Sequence, residues 1–319
     1  MRSSKKMPII NSFKRANKKE VLRLIKRNWV LYLFILPSFV YLILFQYAPM
    51  YGVQIAFRDY KFSKGIWGSD FVGLKHFIKY VNIPRFWPLI KNTLTLSLYN
   101  IVVGFPLPII LAIVLNNTRN LKWKKFAQTI TYMPHFISTV VLVGMMNIFF
   151  SPSSGIVNEI LELLGGSGNT YFMGIESYFP HMYTWSGVWS EMGWGSIIYM
   201  AALAGVDQEL HEAAMIDGAN KIKRVWYIDI PAIAPTIIIT LIMRCGSILS
   251  VGWEKVFLMQ NDLTLNTSEV LSTYVYKQGL LKQQYSYSTA VGLFNNLINL
   301  IMLSIVNKIA KKVSETSLW

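Results

Sequence analysis

The length of the apolar runs constrains this chain more than any other feature. A helix needs about 20 consecutive, mostly apolar residues to cross the hydrocarbon core of a bilayer. Six stretches reach that length: 29–48, 92–115, 126–150, 182–205, 231–252 and 289–308. The fourth and fifth each carry one charged residue, Glu191 and Arg244. Pro37, Pro106, Pro108, Pro134 and Pro235 fall in or near spans, which membrane helices tolerate when neighbouring groups satisfy the freed carbonyls. Composition agrees, since 15% of the residues are charged where a soluble domain has about 25%. The expectation is an all-α, polytopic membrane protein with six transmembrane helices.

The net charge of +15 invites a nucleic-acid partner, but its distribution speaks against one. Ten basic residues lie in 1–28, just ahead of the first apolar run, where they fix orientation, and no nucleic-acid-binding module is present. This segment is expected to be cytoplasmic, with the basic amphipathic stretch Glu20–Arg27 on the membrane face. No small-residue cleavage site follows 29–48, so that span is expected to remain as an anchor. With the N-terminus inside, cytoplasmic pieces hold 20 basic residues and external pieces 10. Both termini, including the tail 309–319, are therefore expected inside a plasma membrane crossed several times. The external loop 49–91 is the misfit, with seven basic residues that the sequence does not explain.

Within that loop, Phe71–Val81 has apolar residues at helical spacing with Lys75, His76 and Lys79 between them. It reads as a short helix before the second span. A membrane interface and the protein's own outer surface are both open as its resting place. The remainder, 92–308, is expected to be a core of five transmembrane helices.

The connection between the fourth and fifth spans, 207–231, is the most specific segment. Asp207 suits an N-cap, and Glu209 and Glu212 suit the first turns of a helix. Leu210, Ala213, Ala214 and Asp217 share one helical face. Gly218 can take the left-handed geometry that ends a helix, and Pro231 opens the fifth span.

Glu212-Ala213-Ala214, Gly218 six residues on, Ile228 ten after the glycine, and the closing Ile230-Pro231 resemble the EAA loop of ABC importer permeases. The usual leucine before the proline is Ile230 here. Asp217-Gly218-Ala219 is similar to the sugar-importer form, and Phe57–Tyr60 and Phe71–Phe77 resemble the first external loop of that class, closest to permeases for complex oligosaccharides. The likeness covers roughly 29–312. It implies a type I importer permease fold in which the loop is a coupling helix docked in an ATPase cleft. Implied partners are a second permease in a heterodimer, two ATPase subunits, an extracellular solute-binding protein, membrane lipid and a carbohydrate. None of the 20 glycines is followed by lysine, so no P-loop exists. No cofactor is expected on this chain, and ATP and magnesium belong to the ATPase partner. The four scattered histidines and single Cys245 show no metal spacing.

Sugars are held by aromatic faces and convergent polar groups. Trp189, Glu191 and Trp194 in the fourth span, Arg244 in the fifth and Asn296 in the sixth are the candidates along a substrate path, with an aromatic belt equally open for Trp189 and Trp194 and helix-packing contacts for Asn296. Trp185 fits an interfacial aromatic belt better. Glu191 and Arg244 lie at matched depths, about 14 and 12 Å from the outer ends of their spans at about 1.5 Å per residue, which suggests a mutual ion pair, stitching helices or lining the cavity. A permease for a non-sugar solute remains an alternative. So, more remotely, does a membrane-embedded enzyme using Glu191, although no second carboxylate or metal cluster accompanies it.

Overall fold

The computed structural model describes residues 18–314, 317 and 318, so most of the basic head and residues 315, 316 and 319 of the tail lie outside it. The chain divides into two units, Met1–Gln54 and Ile55–Trp319. In the first, the helix Lys18–Arg27 precedes Trp29–Leu42, which runs on through a π-turn at Ile43–Tyr47. No residue of Trp29–Leu42 is buried. The sequence explains this, because the helix is apolar on every side and can face hydrocarbon all round.

Among the described residues, four helices are long and apolar enough to cross a membrane: Trp29–Phe57, Phe86–Asn116, Lys221–Gly246 and Tyr285–Lys312. The expected third span is not a single rod. Leu121–Phe136 and Thr139–Phe149 meet at a bend of 99°. Pro134 sits in a tight turn at Met133–Phe136, Ile137 is extended, and Ser138 starts a new helix by accepting the Val141 amide at 3.3 Å. The expected fourth span is the 26-residue helix Phe179–Ala204, long enough to cross but more polar than the other four. By length and composition the count is four spans, or five with the bent pair as one, against the six read from sequence.

Phe179–Ala204 is the hub of the second unit. It packs on Pro106–Asn116, Leu121–Tyr132 and Ile230–Gly246, and Ala112, Tyr199, Leu203 and Ile233 form a core cluster there. The approach to Leu121–Tyr132 is backbone to backbone, since a Cβ at Gly193 would collide with the Thr131 carbonyl. Two spans of this unit contain π-turns, at Asn100–Gly104 and Val225–Asp229.

The fifth span ends at Gly246, six residues short of the expected 252, and continues as non-helical chain. The sixth span satisfies that freed backbone. Asn299 Oδ1 accepts from the Leu249 amide at 3.0 Å, and Asn295 Nδ2 donates to the Leu249 carbonyl at 3.4 Å. Outside the spans, Arg58–Lys61 and Ser69–Phe71 form a small antiparallel ribbon, the one departure from all-α among the described residues. The external-loop helix is Lys75–Val81, and it rests on the protein itself. Its His76 and Tyr80 are buried, and Lys79 lies 4.7 Å over the Tyr287 ring of the last span.

Candidate functional site

Three adjoining cavities, of about 270, 170 and 70 Å³, share one lining residue, Asn100. Asn100 opens the π-turn of the second span, where an extra residue per turn pushes a side chain off the regular helical register. The largest cavity adds Tyr183, Arg244, Ser247 and Ser250. The second adds Thr139, Ser190, Glu191 and Lys255, and the third lies between Glu191 and Arg244. The non-helical residues 247–252 contribute Ser247, Ser250 and Gly252 to the lining. Irregular backbone at a span's end fits where it borders a water-filled space and is satisfied by neighbours.

The expected pair of Glu191 with Arg244 does not form. Glu191 Oε2 lies 3.0 Å from His135 Nδ1, and Trp194 stacks on the His135 ring at 4.4 Å and 6°. The bend at 137–138 explains the exchange, because it folds His135 against the fourth span's helix. Depth counting along straight helices could not place His135 there. Trp194 contacts His135, and Trp189, Trp194 and Asn296 are exposed and line none of these cavities. Trp185 donates its indole N–H to Tyr99 at 3.1 Å. Asn100, Tyr183, Ser190 and Lys255 were missed. A lone asparagine inside the apolar run 92–115 was the available signal for the first.

The segment 207–231 folds as its local chemistry directs. The helix is Gln208–Ile216, and Asp207 caps it by accepting from the Glu209 amide at 3.0 Å. It ends in a Schellman motif, with Gly218 at φ +76°, the Ala219 amide donating to Ala214 at 2.8 Å and the Gly218 amide to Met215 at 3.1 Å. Glu212, Ala213 and Asp217 are exposed, as are Leu210, Met215 and Ile216, the last at 87%. Ile228 is half-buried and Pro231 exposed. One side chain points inward. His211 Nε2 lies 3.3 Å from Oδ1 of Asp229, which is fully buried in the second π-turn. The other oxygen of Asp229 accepts from Asn117 Nδ2, at the end of the second span's helix, at 3.3 Å. The helix is thereby tied to two spans at once.

Membrane-length helices around a polar cavity, with an exposed and doubly capped helix hung from the fifth span, define a membrane transport component. Residues 104–315 match the binding-protein-dependent transport system inner membrane component family, and the chain belongs to it. It is 41% identical over 307 residues to the polygalacturonan/rhamnogalacturonan transport system permease protein YteP of Bacillus subtilis, covering 96% of this chain and 95% of that one. The arabinooligosaccharides permease AraP of the same organism is 29% identical, over 89% and 88% of the two chains. A chain in the crystal structure of a bacterial alginate ABC transporter, in complex with an alginate pentasaccharide-bound periplasmic protein, superposes with a TM-score of 0.86 at 37% identity, over 93% of this chain and 99% of that chain. A second structure, of a bacterial ABC transporter that imports the acidic polysaccharide alginate, gives 0.84 at the same 37% identity, over 92% and 99%.

Proposed function

We propose that this chain is a translocating subunit of an ATP-driven importer that receives an oligosaccharide from an extracellular binding protein. The observation that carries the reading is the helix Gln208–Ile216, whose Leu210, Met215 and Ile216 are exposed while His211 anchors it inward. An exposed apolar patch at a helix end marks a docking surface, and here the fitting partner is the cleft of an ATPase subunit. Glu212, Ala213, Ala214, Asp217 and Gly218 form the docked helix, and Ile228 and Pro231 connect it to the fifth span. The complex would hold a second permease, two ATPase subunits carrying ATP and magnesium, and the binding protein outside. Both termini of this chain, its basic head and its tail would be cytoplasmic.

Movement of the docked helix would reach the membrane through the His211 contact to Asp229 and the Asp229 contact to Asn117. The second of these lies at the end of the helix that carries Asn100 into the cavities. The alginate-importing relative makes an acid-bearing oligosaccharide the first substrate to try. The test is uptake into vesicles by the reconstituted complex. ATP-dependent oligosaccharide uptake should be present in the wild type. Gly218→Leu, which forces a branched residue into left-handed backbone and fills the docking end, should abolish it with the complex still assembled. Sugar-stimulated ATP hydrolysis at the wild-type level in that variant would refute the docking.

A further inference from the structure

Arg244 is left without a counter-ion. None of the ion pairs or hydrogen bonds among the described residues uses its guanidinium, and the acid expected to meet it, Glu191, is occupied by His135. A permanent charge at membrane depth is costly and faces a partner or a watery path. Arg244 faces the latter, since it lines both the 270 and the 70 Å³ cavities beside Asn100. The larger holds several water volumes at about 30 Å³ each. The position in the last turn of its helix gives Arg244 some favourable interaction with the helix dipole. That interaction accounts for a cation near the helix end, but not for a cavity built around it.

A second cation stands across Tyr183. Lys255 Nζ donates to the Tyr183 carbonyl at 2.8 Å, lies 4.8 Å over its ring, and lines the neighbouring cavity. Tyr183, 7% exposed and with Lys255 over its ring, borders both cavities and separates the two positive groups. Ser247 and Ser250, on the non-helical chain that follows Arg244, add hydroxyls to the same wall. A planar guanidinium presents a fork of donors that matches a carboxylate, and the serine hydroxyls beside it match the hydroxyls of a sugar ring.

Resting on the oligosaccharide-importer reading above, we propose that Arg244 is a specificity-determining residue that binds the carboxylate of a uronic-acid unit as the sugar crosses. Lys255 supplies a second positive group further along the same path. The occupant is thus an acidic oligosaccharide, and a neutral sugar of the same length would leave the guanidinium buried against it unpaired.

The experiment uses the full complex with its partner permease, ATPase subunits and binding protein, and two probes, trigalacturonate and its methyl ester. Uptake by each variant is divided by wild-type uptake of the same probe, which cancels the binding protein's own preference. In Arg244→Gln, uptake of the acid should fall about ten-fold or more, the loss expected for a hydrogen bond to a charged group. Uptake of the ester should hold. Arg244→Lys, which keeps the charge and loses the fork, should fall between. Equal losses for both probes, or no loss for either, would overturn the proposal. So would failure of Arg244→Gln to assemble while Arg244→Lys assembles, because the cation would then be serving a subunit contact. A wild-type complex that takes up the ester and refuses the acid would overturn the acidic-substrate reading and this proposal together. Acid uptake in wild type with its preference retained in Arg244→Gln would overturn this proposal alone.

Discussion

The buried contact between the loop helix and the spans gives the sharpest test of how the molecule is tied together. Asp229 is fully buried, and among the described residues Oδ1 meets only His211, while Oδ2 keeps its hydrogen bond from Asn117. In His211→Leu the carboxylate is stranded on one side. Removing one member of a buried pair costs about 3–5 kcal/mol. The Asn117 bond survives, the His211 side chain is 15% exposed, and the 3.3 Å contact does not close a hydrogen bond to Oδ1, so about 3 kcal/mol is the upper limit. Asp229→Val leaves an imidazole that is partly open to water and should cost about 1 kcal/mol, a typical single-mutant loss. Combining the two replaces the pair with apolar groups and should recover at least about 2 kcal/mol of the sum. The assay is the fraction of assembled complex that survives a fixed heating step, with sugar-stimulated hydrolysis measured on the same samples. Such heating reports an unfolding rate, so the order of the four proteins is what matters. The expected order is wild type, then the double variant and Asp229→Val close together, then His211→Leu well below. The reasoning fails if His211→Leu survives as well as wild type, or if the double variant survives no better than His211→Leu.

Gly193→Val should separate the helices around Thr131, since a Cβ there has no room, and assembly measured by co-purification of the partner subunits should drop sharply. In a Cys245→Ser background, Asn169→Cys should label from outside and Asn220→Cys only after permeabilisation; labelling of both from one side would overturn the orientation. Beyond the fifth span, burial lowers the Lys255 ammonium from 10.5 to about 8, with Glu191 pulling it upward. The folded chain then holds this proton less tightly than the unfolded one. Its contribution to stability is therefore poorest below pH 8 and improves as the pH climbs from 8 toward 10.5. Lys255→Met should raise heat survival at pH 7 and flatten that improvement.

What the sequence made legible was local. Asp207, Gly218 and the apolar spacing between them specify a capped helix through hydrogen bonds made within a few residues, and the structure builds that helix. The apolar runs likewise located the helices, because burial in lipid depends on little besides composition. Breaks and rotations were harder to see. Pro134 and Ser138 were present as punctuation in 126–150, yet the unbroken hydrophobicity around them read as one rod. Glu191 and Arg244 were matched by depth alone, and depth says nothing of which way a side chain points about the helix axis. The early end of the fifth span at Gly246 and the bend at 137–138 then moved both away from the geometry that the count assumed. Asn100 was lost in an apolar stretch because its role depends on a π-turn, for which the sequence has no reliable mark.

That π-turn has a further meaning. A π-turn is in effect one residue inserted into an α-helix, and each α-helical residue accounts for about 100° of rotation and about 1.5 Å of rise. Deleting a single residue from Asn100–Gly104 would let the strand of helical bonds close up, turning everything from Pro106 to Asn116 by about that angle relative to the part before it. Asn117 would swing off Asp229, and the face now packed on Phe179–Ala204 would turn toward lipid. The extra residue thus acts as a phase shifter. It sets one half of the helix for the cavity and the other for its neighbours, and neither half can be optimised by substitution alone without respecting that phase.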